Sequence, residues 1–368
     1  MTHTIRPIAA LLAVLALGLT GCGTVGPAAG PSAGDGLPAT AAALRLGLTG
    51  LVDSGALVGG EAVLRDGNGA EDVTAGLGDR ETGTPYPMGA HSRIASVTKM
   101  FTASIVLQLV HEGTLRLDGP VGGYLTGLPH GEGVDPGRIT VRQLLRHQSG
   151  LPELPDDADP ARAYTPRELL ALTDALPAQF PPGERMVYTN TNYVLAGVLI
   201  EQVTGHAYAD ELARRITGPL GLSGTRFPKP GERALPGPAP RGYQDGVDVT
   251  EQEPSALYSS GGIVSTAADL NRFLTALLDG EVVPAPLLDA MRETVPMPDV
   301  PGVGYGLGLM RLPVSCGKTV WGQAGDVPGF QTMTATDGER SVSLLFNQGP
   351  GEKLGPGQLL GLVGTALC

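Results

Sequence analysis

Two residues able to perform nucleophilic chemistry lie three positions apart in the stretch Ser96-Val97-Thr98-Lys99. On a helix, residues three apart share one face, with Cβ atoms about 5–6 Å from each other. A serine hydroxyl attacks a carbonyl carbon when a base at this range takes its proton. The spacing therefore predicts Ser96 as a nucleophile and Lys99 as its proton partner. Alone, a Ser-x-x-Lys match arises by chance about once in a chain of this length.

The element that must hold Ser96 is predicted to be a buried helix. Ile94 and Ala95 lead into it, and mostly apolar residues follow as far as Val110, before a stop at Gly113. This arrangement places Ser96 in the first helical turn. Free backbone N–H groups at that end of a helix face incoming negative charge.

A second candidate element is Tyr188-Thr189-Asn190, which precedes an apolar helical stretch. A lysine ammonium near the phenol would favour the phenolate form of Tyr188. That phenolate could serve as general base toward Ser96 and then as general acid toward the leaving group. Taken alone, Tyr188 equally fits a half-buried aromatic residue, and Asn190 equally fits a helix N-cap.

These stretches together resemble the serine β-lactamase-like superfamily, most closely class C β-lactamases and the related D-alanyl-D-alanine carboxypeptidases and esterases. The resemblance covers roughly residue 40 to the end, and further matches lie at 139–145, 147–151, 219–223 and 260–266. It implies a five-stranded antiparallel sheet flanked by helices, an all-helical domain, and an active site between them. His147, in the second of these matches, fits a buried, hydrogen-bonded side chain better than a catalyst.

The superfamily's third element, a Lys-Thr-Gly or His-x-Gly triplet on a strand, is altered in this chain. The alignment places Gln323, Ala324 and Gly325 at these substrate-binding positions. Penicillin-recognising members use the cation and the hydroxyl of the triplet to hold a substrate carboxylate, and glutamine and alanine provide neither. Gly325 still permits close backbone approach, so the N–H groups of Ser96 and Asp326 are expected to form the oxyanion hole.

The elements around these residues predict an α/β (α+β) fold. Residues 38–116 and 259–368 form one α/β domain by this interpretation, and residues 117–258 form a helical domain inserted into it. Strands are predicted at 56–65, 72–76, 305–310, 319–322, 329–335 and 341–346. Helices are predicted at 39–53, 165–176, 191–204, 266–280, 287–293 and 359–366.

The N-terminus reads as a targeting segment. Arg6 precedes an apolar run from Ile8 to Leu19, which is too short to span a bilayer comfortably. The run ends before Cys22, so we predict a lipoprotein signal peptide at 1–21, lipidation of Cys22, and a flexible linker over 22–37. The alternative is an ordinary secretory peptide with an incidental cysteine. In either case we expect the domain outside the cytoplasm.

Cys316 and Cys368 are the two cysteines that follow the predicted linker. In an exported protein an even pair favours a disulfide over two free thiols. Such a bridge would tie the last residue to a segment next to a predicted strand.

The net charge and the histidine spacing limit which partners and cofactors the chain is expected to bind. A formal net charge of −12 argues against nucleic acid and against electrostatic attraction to anionic lipid, which leaves the lipid at Cys22 as the membrane contact. The six histidines show no ligand spacing, so we expect no metal and no other cofactor. Two further motif matches are rejected. The Gly-x-Ser-x-Gly nucleophile pattern at 30–34 lies in the predicted linker, and the match to a phosphate-binding loop that ends at 317–319 lacks the first glycine of that loop.

The function that fits best is an exported serine hydrolase that forms an acyl-enzyme on a peptide, amide or ester carbonyl. D-alanyl-D-alanine carboxypeptidase activity on cell-wall peptides ranks first, and a small-ester hydrolase or β-lactamase is the alternative. A penicillin- or peptidoglycan-binding lipoprotein without turnover is a third possibility. Asn190 is expected to orient Lys99 or the substrate amide, the choice of base between Lys99 and Tyr188 stays open, and a monomer is expected.

Overall fold

The computed structural model describes residues 36–125, 131–155, 159, 161–348 and 354–368. The strands are β1 (Gly59–Asp66), β2 (Gly69–Asp79), β3 (Thr84–Pro85), β4 (His91–Arg93), β5 (Tyr243–Gln244), β6 (Val247–Asp248), β7 (Val264–Thr266), β8 (Val295–Pro296), β9 (Gly304–Tyr305), β10 (Met310–Leu312), β11 (Val320–Val327), β12 (Phe330–Thr336) and β13 (Ser341–Phe346). The helices are α1 (Leu37–Asp53), α2 (Thr98–His111), α3 (Val141–Leu145), α4 (Pro166–Ala171), α5 (Asn190–Thr204), α6 (Tyr208–Leu212), α7 (Gly218–Leu220), α8 (Tyr258–Gly261), α9 (Ala267–Leu278), α10 (Ala285–Arg292) and α11 (Pro356–Leu367).

One antiparallel sheet organises the described chain. Its strand order is β3-β2-β1-β13-β12-β11-β10-β9-β8. The five strands in its middle, β2, β1, β13, β12 and β11, each have at least six residues. The other four strands have two or three residues and extend the sheet at its edges. The predicted antiparallel sheet flanked by helices is confirmed, and it is wider at both edges than five strands.

Helices cover both faces of this sheet because successive strand residues point to opposite sides. Ala62 and Leu64 of β1 pack in an apolar cluster with α1 and α11, whereas Val63 between them packs with α2, α5 and α9. Helix α2, which follows Ser96, is therefore buried between the sheet and the helices of the inserted segment. The site residues lie where these layers meet.

Several boundaries differ from the sequence prediction: the helix predicted at 165–176 ends at Ala171, for example, and most others move by one to three residues. Two of the differences have a local cause. Residues 305–310 do not form one strand: Gly308 has a φ of +78°, so the chain turns between β9 and β10. Helix α1 begins at Leu37, which corrects the predicted linker at its last residue. Pro38 in the first helical turn is favourable because that position needs no backbone N–H donor, and Leu37 is buried.

The predicted signal peptide at 1–21 and the lipidated Cys22 lie outside the described residues. Among the helices that the structure describes, none combines the length and apolar character needed to cross a bilayer.

A disulfide joins Cys316 to Cys368 across 52 residues of sequence. It ties the end of α11 to the loop before β11. The Lys318 ammonium in that loop donates hydrogen bonds to the Leu367 carbonyl at 2.8 Å and to Asp337 at 2.6 Å. These contacts anchor the start of β11, the strand that carries Gly325.

Candidate active site

Ser96 lies in a 3-10 turn, Ala95–Val97, that runs directly into α2. Ser96 therefore lies two residues before α2 begins, whereas the sequence predicts it within the first turn of that helix. Ala95 adopts a left-handed φ of +47°, a conformation that a residue with a Cβ rarely takes. Such backbone outliers concentrate at functional sites, where the surrounding structure holds them in place. Here the turn leaves Ser96 partly exposed between buried neighbours.

The Lys99 amine lies 3.1 Å from the Ser96 hydroxyl oxygen. Its side chain is fully buried, and Nζ donates to the Asn190 Oδ1 and to the Ser260 carbonyl, each at 2.8 Å. An unprotonated amine has two N–H donors and one lone pair. Because the two acceptors occupy both donors, the lone pair of a neutral Lys99 is left to face Ser96.

Burial sets the protonation of Lys99. Removal of the amine from water disfavours its charged form and lowers its pKa to about 7, although the nearby Glu153 carboxylate acts in the opposite direction. A base works best when its pKa lies near the working pH. Near neutrality, a large fraction of Lys99 is therefore free to accept the Ser96 proton.

Tyr188 is a neutral phenol in this site. Burial raises the pKa of its hydroxyl well above the ordinary value, and the neighbouring Glu153 and Asp326 act in the same direction. The Lys99 Nζ lies 4.8 Å from the ring centroid, and the interaction of the Tyr188 hydroxyl with Ser96 lowers the pKa of the phenol against the effect of burial. The prediction that Lys99 favours a phenolate is wrong, because burial outweighs the influence of a partly charged amine. Tyr188 is thus suited to relay a proton.

His147 holds the segment that carries Tyr188. Its ring stacks on the Tyr188 ring with centroids 4.3 Å apart, and its Nδ1 accepts a hydrogen bond from the Thr189 N–H at 3.1 Å. Its carbonyl accepts one from the Val187 N–H at 3.0 Å. Burial and the Lys99 charge lower the pKa of His147 well below its ordinary value, so the imidazole is neutral. These contacts give His147 the supporting position that the sequence predicts.

Asn190 is the first residue of α5, and Thr189 occupies the N-cap position. The side chain of Asn190 is therefore not used for capping, and its Oδ1 accepts the hydrogen bond from Lys99. This geometry corresponds to the expected role of orienting Lys99.

Gly325 brings β11 against the turn that holds Ser96. A Cβ at this position would lie 2.3 Å from the Ile94 carbonyl oxygen and 2.8 Å from the Ser96 nitrogen, so glycine alone fits without displacement of the backbone. Strand β10 pairs with residues 320–322 only, which leaves the second half of β11 without a partner on that edge.

The backbone N–H of Asp326 faces this open edge. Strands β11 and β12 are joined by a two-residue hairpin in which Val327 pairs with Phe330. Paired residues of an antiparallel ladder alternately exchange hydrogen bonds and point their N–H groups away from the partner strand. Asp326, next to the closing pair, therefore directs its N–H away from β12. With the Ser96 N–H it can form the predicted two-donor oxyanion hole.

Gln323 lies on β11, two residues before Gly325. Its side chain is fully buried, and Nε2 donates to the Gly308 carbonyl at 3.2 Å and to the Tyr305 hydroxyl at 3.4 Å. These contacts are made inside the protein, and a role of Gln323 in substrate binding stays a prediction. Ala324 is partly exposed and stays a candidate contact.

The sequence does not predict a role for the carboxyl groups of two residues near the site, Glu153 and Asp326. Glu153 accepts hydrogen bonds from the Asn190 N–H at 2.9 Å and the Leu154 N–H at 2.8 Å. Burial raises the pKa of Asp326 to about 7, and its Oδ1 has no hydrogen-bond partner among the described residues. The one available signal for Glu153 was its place directly after the 147–151 match.

The chain is similar to known proteins over most of its length. The Beta-lactamase family profile matches residues 48–359. The putative penicillin-binding protein PbpX of Bacillus subtilis (strain 168) is 29% identical over 269 residues, which cover 71% of this chain and 63% of that protein. Esterase EstB of Burkholderia gladioli is 30% identical over 296 residues, covering 69% of this chain and 75% of that protein.

A solved structure of a D-stereospecific amidohydrolase from Streptomyces sp. superposes with a TM-score of 0.80. It is 35% identical, and the match covers 89% of this chain and 98% of that chain. The penicillin-binding relatives are longer, and the chain spans about three fifths of their length.

Proposed function

The chain belongs to the Beta-lactamase family, and on that premise we propose that it is a serine hydrolase acting through an acyl-enzyme on small amides or esters. The observation that most supports the proposal is the Lys99 amine, which is buried, has a pKa of about 7 and lies 3.1 Å from the Ser96 hydroxyl oxygen. A nucleophile and a base within hydrogen-bond reach, with the base oriented by a third group, constitute an activated serine.

The reaction follows from these positions. Lys99 accepts the proton of Ser96 while the serine oxygen attacks the carbonyl carbon, and the N–H groups of Ser96 and Asp326 stabilise the resulting oxyanion. The Tyr188 phenol gives its proton to the leaving group as the tetrahedral intermediate collapses to the acyl-enzyme, and it takes up the proton that Lys99 received from Ser96, so that Lys99 is neutral again. Water then attacks the acyl carbonyl, the same groups remove its proton, and the serine leaves with its proton restored.

The charges around the cleft favour substrates without a carboxylate next to the scissile bond. Position 323 holds a buried neutral amide where the resemblance places a cation that would anchor such a carboxylate. An anionic substrate therefore lacks a charged partner at this position, whereas a neutral or ammonium-bearing amide needs none. The likeness to a D-stereospecific amidohydrolase supports an amide substrate.

A second candidate is D-alanyl-D-alanine carboxypeptidase activity on cell-wall peptides. The observation in its favour is the similarity to penicillin-binding proteins from Bacillus subtilis and Amycolatopsis lactamdurans, at 28–30% identity. This function requires a peptide that ends in a carboxylate, so the two candidates predict opposite substrate preferences.

A substrate panel separates the candidates. We expect kcat/KM for D-phenylalanine amide or p-nitrophenyl acetate to exceed that for an acylated D-Ala-D-Ala peptide by at least about tenfold. A tenfold ratio corresponds to ~1.4 kcal/mol, which we assign to the missing cation for the peptide carboxylate. The reverse order would favour the carboxypeptidase. A stable adduct without turnover of any of these substrates would identify a binding protein instead.

For location, we propose that the protein is exported and anchored by a lipid on Cys22. The support is the Arg6–apolar–Cys22 pattern of the N-terminus. In a bacterial host, we expect the wild type in the membrane fraction and Cys22→Ala in a soluble fraction, with unchanged esterase activity per molecule. Immunoblots of the two fractions measure this. Equal distribution of both proteins would contradict the anchor, and release of both into the medium would identify an ordinary secretory peptide.

A further inference from the structure

Glu153 links the loop after residues 147–151 to the helix that orients Lys99. Its two carboxylate oxygens lie 3.1 and 2.9 Å from the Asn190 backbone nitrogen, and one of them also accepts the Leu154 N–H at 2.8 Å. The side chain is only partly exposed. The carboxylate is therefore fixed by backbone donors from two separate segments.

This contact replaces a missing helix cap. Helix α5 is 15 residues long, and its N-cap residue, Thr189, makes no side-chain capping bond. A free N–H group at a helix start needs an acceptor, and a carboxylate there also interacts favourably with the helix dipole. Glu153 supplies both, and the residue that it holds, Asn190, is the one whose side chain accepts from Lys99 at 2.8 Å.

The titratable groups described near Lys99 are two tyrosines, a histidine and a glutamate. Nζ lies 4.8 and 5.7 Å from the ring centroids of Tyr188 and Tyr193, and these phenols are neutral because burial raises their pKa well above the ordinary value. The His147 imidazole is neutral as well. The Glu153 carboxylate is the charged group that acts on the Lys99 pKa, which it raises against the effect of burial. Burial also raises the pKa of Glu153 itself, and the N–H donors of Asn190 and Leu154 and the charge of Lys99 oppose that rise and favour the carboxylate.

We propose that Glu153 is a positioning residue that acts on the base through α5: it fixes the Asn190 amide on Lys99 and supplies the negative charge opposite the buried amine. This inference rests on the proposed function, in which Lys99 is the base. The charge prevents burial from lowering the proton affinity of Lys99 further, and the cap keeps Asn190 in hydrogen-bond range. Glu153 itself does not touch the reacting atoms.

The variant Glu153→Gln tests the charge while it keeps an acceptor oxygen for the Asn190 N–H. Removal of the negative charge lowers the Lys99 pKa, so the acidic limb of log kcat/KM against pH moves to lower pH, by roughly one unit. Glu153→Asp keeps the charge, and its limb stays at the wild-type position even if the rate falls. The matched control is Glu168→Gln, which removes a capping carboxylate from α4, far along the chain from Lys99; its limb should not move.

The position of the acidic limb distinguishes an effect of Glu153 on the Lys99 pKa from a purely structural role as a helix cap. A uniform loss of rate in Glu153→Gln with an unmoved limb would overturn the inference, as would an equal shift in Glu153→Asp. If Glu153→Gln does not fold, Glu153→Ser, which also removes the charge, takes its place, with the same expected shift and the same contradicting result. The pH dependence of Ser96 labelling by a fluorophosphonate gives a second measurement that needs no turnover. A wild type that neither turns over nor labels would refute the proposed function itself.

Discussion

Ser96→Ala should lower kcat/KM for an ester or amide substrate by about 10⁴-fold or more, the loss found when the nucleophile of a serine hydrolase is removed. The oxyanion donors and the cleft stay in place, but no group remains at 3.1 Å from Lys99 to form the acyl-enzyme. The fold should be unaffected, since Ser96 is partly exposed and Lys99 keeps its hydrogen bonds to Asn190 and Ser260. Steady-state kinetics and thermal unfolding followed by circular dichroism check the two parts.

Ser104→Ala is a suitable control because this serine lies on the same helix, is buried, and donates to a backbone carbonyl within α2. It should retain activity. If Ser96→Ala kept more than a tenth of the wild-type rate with its fold intact, Ser96 could not be the nucleophile.

Lys99→Met is expected to lower kcat/KM by about 10³-fold, since general base catalysis contributes roughly 10²–10⁴. In the wild type the acidic limb of the pH–rate profile should have an apparent pKa of about 7, because the amine must be unprotonated to act. The rate should therefore fall about tenfold for each pH unit below that value. Kinetics between pH 5 and 9 measure both effects.

The same substitution should stabilise the protein. The folded-state pKa of Lys99 is about 7 and the ordinary value is 10.5, so between these pH values the unfolded chain binds one more proton than the folded one. Stability from this group therefore rises with pH from about 7 to 10.5, and below pH 7 the full penalty of burying the charge remains. Lys99→Met lacks that penalty and should melt at a higher temperature than the wild type at pH 6. Lys229→Met, at an exposed lysine outside the site, should show neither the loss of rate nor this gain.

The sequence alone predicts those parts of the site whose residues lie close together along the chain. The pair Ser96 and Lys99 is separated by one helical turn, so its proximity follows from helix geometry, and the structure places the two side chains in contact. The strand predicted at 341–346 likewise coincides with β13. Helical layers on both faces of an antiparallel sheet follow from the order of the predicted elements.

The remaining features depend on burial and on long-range packing, which a local pattern does not report. The protonation of Tyr188 differs from the prediction because burial of the phenol itself raises its pKa well above the ordinary value. The side chain of Gln323 donates to the Gly308 carbonyl, which lies in the turn between β9 and β10, a turn that the predicted strand over 305–310 does not contain. Glu153 meets α5 across 37 residues of sequence, so its contact required the fold.

Intact-mass analysis of the protein mixed with an activated ester or a fluorophosphonate tests the central claim most directly. The account predicts one covalent adduct per chain, located by peptide mapping on the segment that contains Ser96, that forms faster above pH 7 than below it and is absent in Ser96→Ala. An adduct of equal extent in Ser96→Ala, or a wild type that stays unmodified, would contradict it.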